Sequence, residues 1–217
     1  ELAQEKSSMS ATMVDLTGGF GVDFSFISRN FQHALYVERN ESLCAIARQN
    51  FPLLGMTNVE VCCAEAVEYL QNMRSVDLIF MDPARRDGHG GRTYALEDCS
   101  PNVVEMREEL LKKAHFIVLK LSPMLDWHRA VLQLENVTEV HVVSVGGECK
   151  ELLLVMEHEK RPLQLFSVND DAVFCCPADD HSVLPLCNEI PAKGYYLQVP
   201  DASVMKAGCF AAVASHY

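Results

Sequence analysis

The feature that most constrains this chain is a glycine-rich turn between a short apolar strand and an amphipathic segment. Residues 15–23 read Asp-Leu-Thr-Gly-Gly-Phe-Gly-Val-Asp; the apolar Met13 and Val14 precede them, and a helical pattern runs on through residues 24–30. A strand, a glycine turn and a helix in this order form the first unit of a nucleotide-binding α/β domain. Glycine is needed at such a turn because the backbone bends sharply and approaches a ligand without a Cβ in the way.

The acidic residue that opens this turn distinguishes between two classes of nucleotide ligand. Asp15 stands at the end of the predicted strand, where its carboxylate would repel the pyrophosphate of a dinucleotide and attract the sulfonium and ammonium groups of S-adenosylmethionine. The third glycine of the dinucleotide motif G-x-G-x-x-G is also absent, since Gly19 and Gly21 are followed by Phe24. The turn is therefore predicted to bind a methyl donor, and an NAD-linked oxidoreductase is disfavoured.

Apolar strand patterns alternate with helical patterns through the first 160 residues, as repeated strand–helix units require. The predicted strands are 12–17, 34–38, 58–63, 76–81, 114–121, 138–145 and 151–157. The predicted helices are 22–30, 41–50, 65–73, 101–112 and 124–134. The connection between the last two strands is too short for a crossover, so these strands must form an antiparallel hairpin. The predicted fold class is thus α/β: a Rossmann-like methyltransferase fold whose mostly parallel seven-stranded sheet ends in an antiparallel hairpin.

Three segments are predicted along the chain. Residues 1–11 are polar and carry no fold signal, residues 12–160 form the methyltransferase domain, and residues 161–217 form a small C-terminal α+β module punctuated by five prolines. The predicted elements of this module are strand-like pieces at 163–168, 172–176 and 195–199 and a helical stretch at 202–215.

The charge balance limits what this segment can bind unaided. The 217 residues carry a formal net charge of −12, whereas affinity for a nucleic-acid backbone comes from cations that neutralise phosphates. RNA is not excluded as a substrate, because the C-terminal module or an upstream segment could supply the cations. Nine cysteines, an odd number without C-x-x-C spacing, predict reduced thiols in a cytoplasmic protein and no zinc site. The sequence shows no signal peptide, and no apolar run approaches the roughly 20 residues that span a bilayer.

Two acidic residues lie where a bound adenosine would need them. Glu38 ends the second predicted strand, and a carboxylate there can accept hydrogen bonds from both ribose hydroxyls. Glu65 follows the third strand, where it can accept from the exocyclic amine of adenine. The alternatives are an ordinary exposed acid for Glu38 and a helix first-turn acid for Glu65. Their neighbours Arg39 and Ala66 are assigned to the same predicted site.

A third acid and two cations follow the fourth strand, in Asp82-Pro83-Ala84-Arg85-Arg86. The carboxyl ends of the strands form the ligand crevice of an open α/β sheet, so Asp82 is predicted to lie beside the transferred methyl group. Arg85 and Arg86 are predicted to bind a phosphate or a carboxylate of the substrate. The alternative is that they belong to a solvated basic loop.

Lys120 closes the apolar fifth strand, and Glu151 opens the seventh. With Asp82, they occupy positions like three of the four residues in the Lys-Asp-Lys-Glu set of RNA 2′-O-ribose methyltransferases, in which a lysine of lowered pKa removes the hydroxyl proton. Asp82 and Lys120 are therefore the candidate catalytic residues, and unrelated strand-end charges are the alternative. Cys99 is a conceivable nucleophile for pyrimidine C5 methylation, but without a matching motif a structural thiol is the preferred interpretation.

The ordered set from Asp15 to Gly21, with Glu38, Glu65 and Asp82-Pro83, resembles the class I S-adenosylmethionine-dependent methyltransferases over roughly residues 10–158. Thr17 stands where that family most often has its first glycine. The resemblance implies acceptor chemistry near Asp82 and no need for a metal. The donor site that it implies consists of Asp15, Thr17, Gly18, Gly19, Gly21, Glu38, Arg39, Glu65, Ala66 and Asp82.

More narrowly, residues 82–87, 120–123 and 200–208 resemble segments of bacterial methyltransferases with a THUMP-like C-terminal domain. That resemblance implies RNA, either rRNA or tRNA, as the substrate, because THUMP domains deliver RNA to a catalytic domain. It also implies that residues 161–217 are part of such a domain. The alternatives are a methyltransferase for a small molecule or a protein, which the acidic composition favours, and a donor-binding module without catalysis.

Overall fold

The computed structural model describes residues 11–85, 96–179, 194 and 199–216. Its strands are β1 (Thr12–Asp15), β2 (His33–Glu38), β3 (Val59–Cys63), β4 (Val76–Met81), β5 (Ala84–Arg85), β6 (Cys99–Ser100), β7 (Ala114–Leu121), β8 (Val137–Val145), β9 (Glu148–Glu157), β10 (Gln164–Asn169) and β11 (Ala172–Pro177). Its α-helices are α1 (Val22–Ile27), α2 (Glu41–Leu53), α3 (Ala66–Asn72), α4 (Val103–Lys113), α5 (Trp127–Leu134), α6 (Ala202–Ala207) and α7 (Phe210–His216).

Nine of the described strands form one sheet, in the order β11-β10-β8-β9-β7-β4-β1-β2-β3, and β5 pairs with β6 in a separate short ribbon. Strands β1, β2, β3, β4 and β7 run parallel to one another, and β9 runs antiparallel to both β7 and β8. Five parallel strands closed by an antiparallel hairpin are the arrangement predicted from the sequence. The Rossmann-like α/β fold is therefore confirmed.

The sheet has nine described strands rather than the predicted seven. β10 runs parallel to β8 over six residue pairs, and β11 follows it antiparallel. The physical reason is that the hairpin leaves one edge of β8 unpaired, and the N–H and C=O groups along that edge need partners. Part of the segment predicted as a separate C-terminal module thus continues the main sheet. The domain boundary at residue 160 stays a prediction.

Side-chain caps fix where several helices begin. Asn40 accepts a hydrogen bond from the backbone N–H of Ser42 at 2.9 Å, and α2 starts at Glu41 as predicted. Asn102 and Asp126 cap α4 and α5 in the same way. These caps make α2 begin directly after the carboxyl end of β2, at the edge of the sheet where a ligand crevice is expected.

Most predicted helices differ from the observed ones only in where they begin or end, and two differ in conformation. α1 ends at Ile27, and residues 28–30 continue as a 3-10 turn. The helix predicted at 202–215 is two helices, because Gly208 ends α6 in the left-handed conformation with a φ of 77°. The strand piece predicted at 195–199 falls outside the described residues except for Val199. Among the helices of the described ranges, none has the length and apolarity that a membrane crossing needs.

Two apolar clusters pack against the sheet. The larger one joins strands β7, β8 and β9 to helices α3, α4, α5 and α6. The smaller one is built around the rings of Phe24, Tyr36 and Phe51, whose centroids lie 5.2 to 5.6 Å apart. Aromatic rings at this spacing and tilt pack favourably. This aromatic cluster supports the glycine turn that follows β1.

Candidate functional site

A crevice of about 930 Å³ opens where β1, β2, β3 and β4 end. Its volume lies within the range of roughly 300–1,000 Å³ that is typical of small-molecule sites. Its described lining contains seven acidic residues and one basic residue, Arg39. The seven acids are Asp15, Asp23, Glu38, Glu65, Asp82, Glu105 and Glu109. The crevice is therefore a strongly anionic site, suited to a cationic ligand rather than a pyrophosphate.

The glycine turn lies directly against the aromatic cluster. A Cβ added to Gly18 would be 2.3 Å from a ring carbon of Tyr36, and one added to Gly21, which has a φ of 74°, would be 2.8 Å from Phe51. The backbone N–H of Gly18 donates to the carbonyl of Val37 at 2.9 Å, and the Tyr36 hydroxyl donates to the carbonyl of Gly19. Only glycine allows the turn to lie this close to the rings.

Asp15 is a buried acid at the floor of the crevice, with 2% of its surface exposed. Its Oδ1 accepts hydrogen bonds from the Thr17 backbone N–H at 2.9 Å and from the Thr17 hydroxyl at 3.3 Å. Burial raises the pKa of Asp15 to about 7, although the two bonds from Thr17 oppose the shift and the charges of Asp23 and Asp82 add to it. Near neutral pH the Asp15 carboxyl is thus ionised in some molecules and neutral in the others. This corrects the sequence argument, which took the residue as fully ionised.

Glu38 is held by two backbone donors at the carboxyl end of β2. Its Oε2 accepts from the Gly19 N–H at 3.0 Å, and its Oε1 accepts from the Asn40 N–H at 2.8 Å. A carboxylate oxygen has more than one lone pair, so each oxygen retains acceptor capacity. The two bonds fix the carboxylate in an orientation from which it can accept further hydrogen bonds in the crevice.

Glu65 and its neighbours line the next part of the crevice. Glu65 occupies the N-cap position of α3, but its side chain makes no capping hydrogen bond. It lies 3.8 Å from the guanidinium of Arg39, and both side chains are well exposed, so this pair contributes little stability. Ala66 is buried at the first position of α3. The structure thus places all three predicted residues in the crevice and leaves the Glu65 carboxylate open to a ligand.

Asp82 links the glycine turn to the strands beyond it. Its backbone N–H donates to the Thr17 hydroxyl oxygen at 2.6 Å, and its Oδ2 lies 2.9 Å from the ammonium of Lys120. The same ammonium contacts Oδ2 of Asp23 on α1 at 2.6 Å. A single cation therefore joins the ends of β4 and β7 to the start of α1. Asp23 was missed by the sequence analysis, although its position in the first turn of the first helix was a signal for it.

The pKa of Lys120 does not favour its use as a base. Burial lowers this pKa, but the hydrogen bonds from the ammonium to Asp23 and Asp82, with the charges of those carboxylates, outweigh burial and raise it above its ordinary value. A lysine that abstracts a hydroxyl proton needs the opposite shift. Burial also raises the pKa of Glu151, with Lys120 opposing the shift. Asp82 and Lys120 thus form an ion pair, and the charges of both act on Glu151.

Other predicted residues give a mixed result. Arg86 lies outside the described residues, and Arg85 is described only as backbone paired with Cys99 in the β5–β6 ribbon. Their predicted contact with substrate therefore stays a prediction.

The Cys99 side chain is buried, as expected of a structural thiol. Glu105 and Glu109 of α4, which were not predicted as site residues, also line the crevice and form an acidic wall. In the described part of the chain, no group of His, Cys, Asp or Glu side chains is arranged to hold a metal ion.

The chain is similar to known proteins in both sequence and fold. A family model described as "Conserved hypothetical protein 95" matches residues 2–146. No curated protein matches the chain. Among solved structures, a proposed methyltransferase from Porphyromonas gingivalis W83 is 31% identical, with a TM-score of 0.83 over 100% of this chain. The chain spans 59% of the length of that protein.

Two further solved structures share the fold at lower identity. TrmK of M. capricolum, in complex with S-adenosyl-homocysteine, is 12% identical with a TM-score of 0.52, covering 79% of this chain and 69% of that one. The N-terminal domain of human METTL16, also in complex with S-adenosyl-homocysteine, is 13% identical with a TM-score of 0.54, covering 73% and 66%. At such identities the likeness concerns the fold alone.

Proposed function

Because the chain belongs to the family described as Conserved hypothetical protein 95, and because of the crevice described above, we propose that it is an S-adenosylmethionine-dependent methyltransferase that acts on RNA. The RNA would be rRNA or tRNA, and the protein would act in the cytoplasm. The 31% identity to the Porphyromonas gingivalis protein, itself a proposed methyltransferase, supports the reaction class.

The observation that carries the proposal is the set of carboxylates around the glycine turn. Glu38, oriented by two backbone N–H groups, suits the two hydroxyls of a ribose. The anionic lining that includes Asp15 suits an ammonium and a sulfonium group and opposes a pyrophosphate. Glu65, without a capping bond, is free to accept from the adenine amine. These residues fit S-adenosylmethionine as the donor.

The chain's own residues would act mainly by positioning. Bound in the crevice, S-adenosylmethionine would supply an electrophilic methyl group. Thr17 and Lys120 hold Asp82 from two sides, so that its carboxylate has a fixed place at the crevice for an acceptor group. Since methyl transfer is an in-line displacement, correct placement of the acceptor supplies much of the acceleration.

RNA as the acceptor is supported by the resemblance to methyltransferases with a THUMP-like domain and by Arg85 and Arg86, which follow Asp82 in the sequence. The net charge of −12 means that affinity for an RNA backbone must come from a minority of cationic residues or from another segment. Residues 161–217 carry three Lys or Arg residues against six Asp or Glu residues, so this contribution would come from Arg85 and Arg86 or from an upstream segment.

A second candidate is a methyltransferase for a small molecule or a protein. The specific observation in its favour is the acidic wall of the crevice, where Glu105 and Glu109 stand on the helix α4. An anionic wall of this kind favours a neutral or cationic acceptor over a phosphate-bearing one.

The donor can be tested by calorimetric titration with S-adenosylmethionine, S-adenosyl-homocysteine and NAD. We expect the first two to bind, and the substitution Glu38→Gln to weaken their binding by about tenfold or more through loss of a charged acceptor. Glu60→Gln, an exposed acid on β3 outside the crevice, is the matched control. Tighter binding of NAD than of S-adenosylmethionine would overturn the proposed donor.

The acceptor can be tested by mass spectrometry of RNA from a strain that lacks the protein. We expect one methylated nucleoside to disappear, to return with the wild-type chain and to stay absent with Asp82→Ala. An unchanged set of nucleosides, together with donor binding by calorimetry, would reject RNA and favour the second candidate.

A further inference from the structure

Two exposed apolar side chains stand at the mouth of the crevice, and a third extends the surface that they form. Phe20 of the glycine turn is 77% exposed and Val22 at the start of α1 is 64% exposed, and both line the crevice. Phe26, also 64% exposed, lies four residues after Val22 and so on the same face of α1. Exposed apolar side chains grouped at the rim of a ligand site indicate a place where a ligand can bind.

The fold does not require the side chain of Phe20. The turn is held by backbone hydrogen bonds at Gly18 and Gly19 and by the packing of Gly18 and Gly21 on the rings of Tyr36 and Phe51. An aromatic residue placed in water without a packing role is available for contact with a ligand.

The charges around this surface select the kind of ligand. Inside the mouth, the crevice lining that includes Asp23 and Asp82 is anionic and repels a phosphate. At the other end, the guanidinium of Arg29 lies 5.4 Å from the ring centroid of Phe26, and its Nε donates to the Ser25 carbonyl at 3.0 Å. A ligand that fits the anionic crevice, the apolar side chains at its mouth and the cation beyond them has a flat uncharged face. It also has a single negative charge, which lies away from the crevice. An unpaired nucleotide has both.

Resting on the RNA acceptor of the proposed function, we propose that Phe20 and Val22 form a stacking platform for an unpaired base of the RNA substrate at the crevice mouth. The phosphate of that nucleotide lies on the side of Phe26 and Arg29. Unpaired bases are commonly recognised by stacking on aromatic side chains, and this contact tolerates any base because every base has a π-face. The platform explains how an acidic crevice accepts a polyanion: the base faces the acids, and the backbone stays outside.

A fluorescent substitution tests the stacking directly. The chain has one tryptophan, Trp127, which is 5% exposed, so Phe20→Trp adds an exposed indole at the platform. We expect a short unstructured RNA oligonucleotide to quench this indole, and the same RNA as a duplex or inorganic polyphosphate to leave it unchanged. Leu132→Trp, at a residue of α5 that is 78% exposed and lies outside the crevice lining, is the control. Equal quenching at both positions, or no quenching at Phe20→Trp, overturns the platform.

Affinity measurements give an independent test. Phe20→Ala should weaken binding of the oligonucleotide by about 5-fold to 150-fold, the range that base–aromatic stacking contributes, whereas Leu132→Ala should not. Arg29→Gln should reduce the slope of log affinity against log salt by about 0.7, as loss of one phosphate contact to a single strand predicts. If Phe20→Ala weakens S-adenosylmethionine binding equally, the side chain belongs to the donor site and the platform is rejected.

The platform and the proposed function fail in different ways. If Phe20→Ala methylates RNA as efficiently as the wild type, the platform is wrong while the RNA acceptor stands. If the wild-type chain binds S-adenosylmethionine but neither binds the oligonucleotide nor changes the methylated nucleosides of the strain that lacks it, both the RNA acceptor and the platform are rejected.

Discussion

Asp15 is a crevice residue whose charge changes with pH near neutrality. Its pKa of about 7 in the folded chain compares with an ordinary value of 3.8, and the cause is burial. A cationic ligand favours the ionised carboxylate, so binding of such a ligand near neutral pH must release protons. The position of this acid at the end of the first strand was predicted from sequence, whereas its burial and the resulting shift required the folded structure.

We predict that the affinity for S-adenosylmethionine rises with pH up to about 7 and then levels off, since only the ionised Asp15 attracts the sulfonium and ammonium groups. Asp15→Asn should bind the donor weakly and without this pH dependence. Calorimetry in two buffers of different ionisation enthalpy measures the proton release directly. Equal pH profiles for the two proteins would show that Asp15 does not titrate on binding.

The same shift predicts how stability depends on pH. Between about pH 4 and pH 7 the folded chain binds more protons at Asp15 than the unfolded chain, so the free energy of unfolding of the ligand-free protein falls as pH rises through this range. Asp15→Asn removes the cost of holding an ionised carboxylate in a buried position. The variant should therefore be more stable than the wild type at pH 8, by up to a few kcal/mol. Thermal melts at pH 5 and pH 8 check this, with Glu60→Gln as a control; a wild type that melts higher at pH 8 than Asp15→Asn contradicts it.

Gly18 gives a prediction of a different kind. A Cβ at this position would lie 2.3 Å from the Tyr36 ring, so Gly18→Ala forces the turn and the ring apart. Overpacking of this sort costs about 1–3 kcal/mol in the free energy of unfolding, which denaturant melts can measure. Gly147→Ala, whose Cβ would meet nothing within 4 Å, is the control, and it should show only the strain of its φ of 79°. A cost well below about 1 kcal/mol for Gly18→Ala would mean that the ring moves aside freely.

At the scale of elements, the strand and helix patterns predicted the alternating core of the fold. The short connection between β8 and β9 correctly indicated the hairpin, because chain length alone excludes a crossover there. The β5–β6 ribbon was missed because each partner is only two residues long and carries no periodicity. The pairing of β10 with β8 was also not predictable. The hydrophobic pattern of a strand indicates which of its faces is buried, but it does not indicate which distant strand edge that strand pairs with.

The link that Lys120 makes between elements is testable. Lys120→Met removes the cation between Asp23 and Asp82, so the two carboxylates repel each other and Asp82 loses its fixed position. We expect methyl transfer to RNA to fall by about tenfold or more, while the free energy of unfolding changes by only about 1 kcal/mol because both carboxylates are substantially exposed.

Two further variants separate charge from structure at this site. Lys120→Arg keeps the cation and should retain much more activity than Lys120→Met. Lys150→Met, which removes the exposed contact with Glu148 on β9, should leave activity unchanged and serves as the control. Full activity of Lys120→Met in an assay of radiolabelled methyl transfer would show that Asp82 needs no such support.

At the scale of the whole molecule, the described part of the C-terminal segment packs into the larger apolar cluster. Its buried side chains in the larger apolar cluster are Leu165, Cys176, Val204, Ala207 and Cys209. A chain that ends at residue 160 would expose the edge of β8 and the apolar surface beneath α6, two features that promote aggregation. The sequence pattern separated this segment because its prolines interrupt the earlier repetition, but burial against β8 depends on contacts that no local pattern reveals.

We therefore predict that truncation after residue 160 lowers the melting temperature and causes self-association. Thermal melts and size-exclusion chromatography of residues 1–160 beside the full chain measure both effects. A truncated chain that stays monomeric and melts like the full chain would show that β10, β11 and α6 fold as an independent appendage.

The close fit between Gly18 and Tyr36 restricts how this sequence can drift over time. A larger residue at position 18 is acceptable only after the ring at position 36 has been replaced by a smaller side chain. That smaller side chain would lack the hydroxyl that donates a hydrogen bond to the Gly19 carbonyl. Neither substitution is therefore neutral by itself. Homologous chains with a larger residue at position 18 should therefore carry a smaller residue at position 36.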